Sequence, residues 1–253
     1  MKELIYKILD LFTLGKGFKI HVSGFNLRFP TRYYKYFEAD YELNNINFIN
    51  NNIIPGMTVI DVGAHIGLLS IIIGKKVYPG GNVFSFEPTP STFKLFLKAI
   101  AINNLQGVIT PVNKAVADKP GVAFFYVTDI EASNSNSLSN NKRTLGKETK
   151  IEVEVVSIDE FSKENNLEKI DLIKIDAEGT EFSVLKGATS VIDTFHPKII
   201  LALHPHSIIN FGDSLSDIWD FVVSKKYIVM FKNDRITKDD FVNTTDLFDV
   251  FLI

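Results

Sequence analysis

Val59-Ile-Asp-Val-Gly-Ala-His-Ile-Gly67, followed by Phe84-Ser-Phe-Glu-Pro88, decides how this chain folds. The first stretch is an apolar run that reaches a carboxylate, Asp61, and then two glycines, Gly63 and Gly67. It reads as a buried strand, a tight turn and the start of a helix, because glycine lacks a Cβ and lets backbone approach a ligand closely. The second stretch is another buried strand, ending on Glu87. A carboxylate about 20 residues beyond such glycines is where a nucleotide-binding sheet places an acceptor for two ribose hydroxyls.

The glycine spacing is not the G-x-G-x-x-G of a pyrophosphate-binding turn. Asp61-Val-Gly63-Ala-His-Ile-Gly67 is the form used for a nucleoside without a pyrophosphate, which points to S-adenosylmethionine. The local alternatives stay open at this point. The glycines also suit tight strand–helix packing, Asp61 also suits capping of nearby amides, and Glu87 before Pro88 also suits a helix start.

Working outward, Pro55-Gly56 marks a turn after a helix expected over residues 38–53. Residues 17–30 alternate apolar and polar, as a short hairpin does. Leu4, Ile5, Ile8, Leu9 and Phe12 recur at helical spacing, so residues near 2–13 should form an amphipathic helix on the domain edge. Downstream, strands are expected at Met57–Asp61, Asn82–Glu87, Val108–Ala115, Val122–Val127, Ile151–Ser157, Ile170–Asp176, Lys198–His204, Tyr227–Phe231 and Leu247–Ile253. Helices are expected at Ile66–Lys76, Ser91–Asn103, from Asp159, at Phe182–Phe195 and at Leu215–Ser224. Such alternation implies an α/β fold with a mostly parallel sheet covered on both faces. Residues 1–37 read as an extension of helix and hairpin, and residues 38–253 as one domain without repeat or dividing linker.

Composition excludes several function classes. There is no cysteine, which removes disulfides, thiolate catalysis and zinc–cysteine sites. Net charge is −3 and no basic stripe appears, so nucleic-acid binding has little electrostatic support. The apolar runs are too short for a membrane span, and the amino terminus lacks a signal-peptide pattern, so a cytoplasmic location is expected.

In open α/β sheets ligands bind above the carboxyl ends of the strands. Gly63–Gly67 and Glu87 end two strands, Asp176 and Glu178 follow a third, and His204 follows a fourth, so they should share one crevice. Asp176 or Glu178 could orient a substrate or accept a proton, and His204 is a plausible base near neutral pH. With His204 the two carboxylates could instead ligate a divalent cation. Helix capping and first-turn placement remain alternatives for Asp176, Glu178 and Glu181, and a structural role remains one for His204. The polar loop at residues 130–149 is long enough for a lid, with Asn136 and Ser137 its candidate substrate contacts.

These segments resemble the FkbM family of S-adenosylmethionine-dependent methyltransferases. The resemblance runs from about Glu42 to His204 and rests on the two opening stretches, with Pro55-Gly56 ahead of them. It continues through Asn103-Asn-Leu105, Asn113-Lys-Ala-Val-Ala-Asp118, Val156-Ser-Ile-Asp159, Asp171-Leu-Ile-Lys-Ile-Asp-Ala-Glu-Gly-Thr-Glu181 and Val184-Leu-Lys-Gly-Ala188. The chain departs from the usual pattern at His65, where Asn is commoner, and at Ala177, where Val is usual.

The resemblance implies a class I methyltransferase (Rossmann-like) fold with a seven-stranded sheet and an antiparallel final strand, here Leu247–Ile253. It implies methyl transfer to an oxygen of a small-molecule or carbohydrate acceptor: a surface glycan, nucleotide sugar, phosphorylated sugar precursor or secondary metabolite. Asp61, Gly63, Ala64, His65 and Gly67 would surround the methionine part of the cofactor, with Glu42 near its amino-acid end. Glu87 and Pro88 would lie at the ribose and Ala115 at the adenine. Asp176, Glu178 and His204 would face the acceptor as catalytic candidates, Asp176 also bordering the cofactor, with Lys174 and His206 meeting the substrate. Asp176 and His204 are the expected bases. No metal ligand is assigned, and a divalent-metal requirement and a homodimer are left open. The competing readings are a nucleotide-dependent oxidoreductase and a non-catalytic nucleoside-binding protein.

Overall fold

The computed structural model describes residues 6, 9, 11–33, 36–128 and 148–253. Asn136 and Ser137, and most of the expected amphipathic helix near residues 2–13, lie outside the described residues. The hairpin is present as β1 (Phe18–Val22) and β2 (Phe25–Phe29), paired antiparallel. Its two-residue turn, Ser23-Gly24, takes positive φ at both positions (42° and 87°), matching the twist of the flanking strands. Val22, Leu27 and Phe29 enter the core of the main body.

The chain continues through α1 (Leu43–Asn52), β3 (Thr58–Val62), α2 (Leu68–Val77), β4 (Asn82–Phe86), α3 (Pro90–Ile102) and β5 (Ile109–Val112). Next come β6 (Ala115–Val116), β7 (Gly121–Thr128), β8 (Glu148–Val156), α4 (Ile158–Glu164) and β9 (Leu172–Ile175). It ends with α5 (Glu181–Lys186), α6 (Thr189–Phe195), β10 (Lys198–Leu203), α7 (Pro205–Asn210), α8 (Leu215–Ser224), β11 (Val229–Phe231), β12 (Asp234–Arg235), α9 (Lys238–Val242) and β13 (Phe248–Leu252).

The main sheet has the order β12-β11-β13-β10-β9-β3-β4-β5. β10, β9, β3, β4 and β5 are mutually parallel, and the final strand β13 inserts antiparallel between β10 and β11. Apart from the two-residue β12, this is the expected seven-stranded class I methyltransferase sheet. Strand order reverses between β3 and β9, which opens a crevice above their carboxyl ends. Successive side chains of each strand feed opposite cores. Val59, Leu172 and Ile200 pack beneath α2, α3 and the hairpin, while Ile60, Ile173 and Leu201 pack against α5, α6 and α8.

Three expected elements take another form, and α7, β12 and α9 are present without having been expected. The strand over Val108–Ala115 is two, because Asn113 turns the chain by donating to Glu87 O and Pro88 O at 2.8 and 3.1 Å. β5 then joins the main sheet, while β6 starts a separate sheet of order β6-β8-β7. The helix over Phe182–Phe195 is broken at Gly187, which packs so closely on Ala117 O that a Cβ would collide with it. Asp159 restarts the helix by accepting from Ser190 N and Val191 N at 2.9 and 2.8 Å. The helix over 38–53 begins only at Leu43, because Glu42 is left-handed at φ 57°.

Candidate active site

The glycine turn sits at the crevice. Gly63 and Ala64 donate their amides to Phe86 O at 3.0 and 2.9 Å, stitching the end of β3 to that of β4. Positive φ at Gly63 and Gly67 (76° and 93°) is needed here, and a side chain at either would collide, with Asp176 O and the Phe96 ring respectively. Below the turn, Asp61 is buried, accepts from the Ser70 hydroxyl and pairs with Lys174 at 3.5 Å.

Lys174 does not reach out to a substrate as expected. It is buried, and its ammonium donates to Val62 O and Gly63 O at 3.3 and 3.0 Å and pairs with Asp176 at 3.4 Å. Burial pulls its pKa down, but the carboxylates of Asp176, Asp61 and Glu42 outweigh burial and hold it above the ordinary lysine value. It is a fixed cation that braces the turn from beneath.

Glu87 is buried at the end of β4, accepting from His65 N at 3.0 Å and from Thr89 N at 2.8 Å. Burial pushes its pKa up to about 7, against the pull of those hydrogen bonds. Neither amide belongs to α3, so Glu87 is a wall of the crevice rather than a helix cap. Pro88, Ala115, His65 and Ala64 line the same cavity, whose volume is about 1300 Å³.

Asp176 and Glu178 follow β9 and His204 follows β10, all three facing the cavity. His204 Nε2 lies 3.7 Å from Asp176 and 3.6 Å from Glu178. Asp176 is not a helix cap, since α5 begins after Thr180. Glu178 precedes that helix too, in a left-handed conformation (φ 51°). Burial raises the pKa of Glu178 to about 7, with His204 opposing the rise and Asp176 and Glu181 adding to it. Burial lowers that of His204, but the bond to Glu181 and the charges of Glu181, Glu178 and Asp176 prevail and raise it to about 9. The three side chains bring donor atoms within 4.8 Å of one another. That spacing suits an imidazolium between carboxylates as well as a cation, and no metal is assigned to it. His206 is exposed at the cavity edge.

Several residues of the site were missed in the sequence. Glu181 is fully buried and binds His204 Nδ1 at 2.8 Å. Asn45, on α1, donates to Glu42 and to Asp249 of β13 at 2.5 and 2.9 Å, joining both to the cavity wall. Burial, then the charges of Glu42 and Asp176, raise the Asp249 pKa to about 6. Glu181 stands within the quoted Asp171–Glu181 stretch, where its spacing shows only a first-turn position. Asp249 has no local signal.

The sequence model of the methyltransferase FkbM domain matches residues 61–229, from the end of β3 through β10 to the start of β11. The chain belongs to the FkbM methyltransferase family. Among its relatives, methyltransferase 1 of Beauveria bassiana is 29% identical over 144 residues, covering 51% of this chain and 57% of that protein. Hexuronic acid methyltransferase AglP of Haloferax volcanii is 28% identical over 144 residues, covering 57% and 54%. The 31-O-demethyl-FK506 methyltransferase FkbM of Streptomyces tacrolimicus is 29% identical over 170 residues, covering 57% and 63%. This chain therefore spans less than two thirds of the length of each of these three relatives.

Proposed function

We propose that this chain transfers a methyl group from S-adenosylmethionine to an uncharged hydroxyl of a carbohydrate or small-molecule acceptor. The observation that carries this reading is the charge of the cavity. Glu42, Asp61, Glu87, Asp176, Glu178, Asp246 and Asp249 line it. Its lysines are Lys114, paired with Glu154 at 2.9 Å, and Lys174, paired with Asp61 and Asp176. A wall of this sign attracts a sulfonium and an ammonium and repels a pyrophosphate. It therefore favours this cofactor over a dinucleotide, and an alcohol over a phosphate as acceptor. Two relatives are named for hexuronic acid and for 31-O-demethyl-FK506, which supports an oxygen on a sugar or secondary metabolite.

When bound, the cofactor supplies an electrophilic methyl group. The chain's own residues bind and orient. Glu87 accepts the ribose hydroxyls, Ala115 borders the adenine, and Glu42 with Asp249 faces the cationic amino-acid end. Asp176, Glu178 and His204 hold the acceptor oxygen in line, and positioning of this kind supplies up to roughly 7–11 kcal/mol of barrier reduction. Among the described residues no helix is long and apolar enough to cross a membrane. A cytoplasmic setting and a small acceptor rather than nucleic acid belong to the same reading.

Isothermal calorimetry with S-adenosylhomocysteine tests it. Binding to the intact chain, with no heat from NAD⁺ under the same conditions, is the expected result. No S-adenosylhomocysteine binding, or comparable binding of NAD⁺, would overturn the reading.

A further inference from the structure

Three side chains stand where the acceptor proton must go, and their surroundings make them unequal. Asp176 lies 3.4 Å from the buried Lys174 ammonium, which ties its carboxylate to the underside of the glycine turn. His204 is held on one side by Glu181, 2.8 Å from Nδ1, and faces Asp176 and Glu178 with Nε2. An imidazole among three carboxylates keeps its proton, and an imidazolium has no lone pair to offer. Glu178 remains. Its side chain is 29% exposed on the cavity wall, and its one ion pair among the described residues is with His204.

The backbone supports the same choice. Glu178 takes φ 51°, a conformation that costs a non-glycine residue free energy and persists only where the surroundings enforce it. The next residue, Gly179, sits so close to Ser207 that a Cβ there would collide with it. Glu181 fixes the turn from the other end by accepting from Gly179 N at 2.9 Å. One buried carboxylate thus sets both the loop that carries Glu178 and the ring that faces it.

We infer that Glu178 takes the acceptor proton and that Glu181 is the positioning residue that holds His204, as an imidazolium, against it. This rests on the proposed methyl transfer. The acceptor O–H bond breaks, its proton passes to the Glu178 carboxylate, and the freed pair on oxygen bonds the methyl carbon as the carbon–sulfur pair returns to sulfur. The charged groups facing Glu178 are His204 from the end of β10, Asp176 and Lys174 from β9 and Glu181 from α5. Their balance leaves Glu178 near 7, where a general base is most effective.

The test is a pair of NMR titrations on the intact chain between about pH 3.5 and 10, bracketing the ordinary glutamate and histidine values of about 4.3 and 6.5. One follows histidine Cε1–H, the other ¹³C-labelled glutamate carboxyls, with His204→Gln and Glu178→Gln assigning the signals. The expected result is a His204 midpoint near 9 and a Glu178 midpoint near 7. Glu181→Gln should drop the His204 midpoint by roughly two units, toward the ordinary histidine value. Should Glu181→Gln fail to fold, Glu178→Gln still lowers the His204 midpoint, by a smaller amount.

A wild-type His204 midpoint near 6.5, or a Glu178 midpoint near the ordinary value of about 4.3, would overturn the assignment. So would stoichiometric Mn²⁺ that broadens the His204 signal, since a cation would then hold Glu178. Each sample is also titrated with S-adenosylhomocysteine. A wild-type chain that does not bind it defeats the proposed function, whereas one that binds it yet shows any contrary midpoint defeats this assignment alone.

Discussion

Glu87 has both carboxylate oxygens engaged by backbone amides, so it enters the cavity already oriented. Glu87→Gln replaces one acceptor oxygen with a donor and so removes the hydrogen bond from His65 N or from Thr89 N. Each hydrogen bond to a charged group is worth about 1.5–3 kcal/mol, so S-adenosylhomocysteine should bind about 10- to 100-fold more weakly to the variant, by calorimetry above neutral pH. In the wild type, affinity should rise as pH climbs through about 7 and the carboxyl ionises. Glu87, Gly63, Asp176 and His204 were legible because each ends a strand that the apolar pattern reveals. Asp249 was not, because the group that marks it is Asn45, 204 positions away. Lys174 was misread for a related reason. A lysine in a strand reads as a group bound for solvent, and only the convergence of Asp61 and Asp176 on it shows that it stays inside.

At the scale of elements, the hairpin and α3 are joined by one side chain. Asn103 donates to Arg28 O at 2.7 Å and accepts from Arg28 N at 3.2 Å, while also capping its own helix through Ala99 O. Asn103→Ala leaves these partners unsatisfied at a cost of about 1–3 kcal/mol, and thermal unfolding should show Tm lower by roughly 2–4 °C per kcal/mol. Ala99 and Ile100 of α3 and Phe29 of β2 share one apolar cluster, so the loss should appear as a single cooperative transition. The existence and order of these elements were legible from periodicity. The breaks within them were not: the β5–β6 turn depends on Asn113 meeting Glu87 O, and the α5–α6 break on Gly187 meeting Ala117 O. Both are contacts between distant segments.

At the scale of the molecule, three acids of the cavity are shifted in one direction. Glu87, Glu178 and Asp249, raised to about 7, 7 and 6, keep protons that the unfolded chain gives up above about pH 4. Stability therefore falls as pH rises through that window. His204, raised to about 9, contributes stability that is complete below about 6.5 and disappears as pH climbs through 9. Tm should thus be higher at about pH 5.5 than at about pH 9, by at least about 4 °C, in a scan without ligand. The mostly parallel sheet was legible because regular strand–helix alternation implies it, whereas the strand order emerges only from the pairing of distant segments. The sign of the cavity was not, since net charge averages over the whole chain. One contact has a wider reach. Gly63 packs against Asp176 O, and Lys174 grips both residues, so the glycine turn and the loop after β9 are held together as one piece. Whatever settles the first settles the second. On the proposed methyl transfer, thermodynamic reciprocity requires that any factor by which the acceptor changes S-adenosylhomocysteine affinity equals the factor by which S-adenosylhomocysteine changes acceptor affinity, which calorimetry with each ligand preloaded checks.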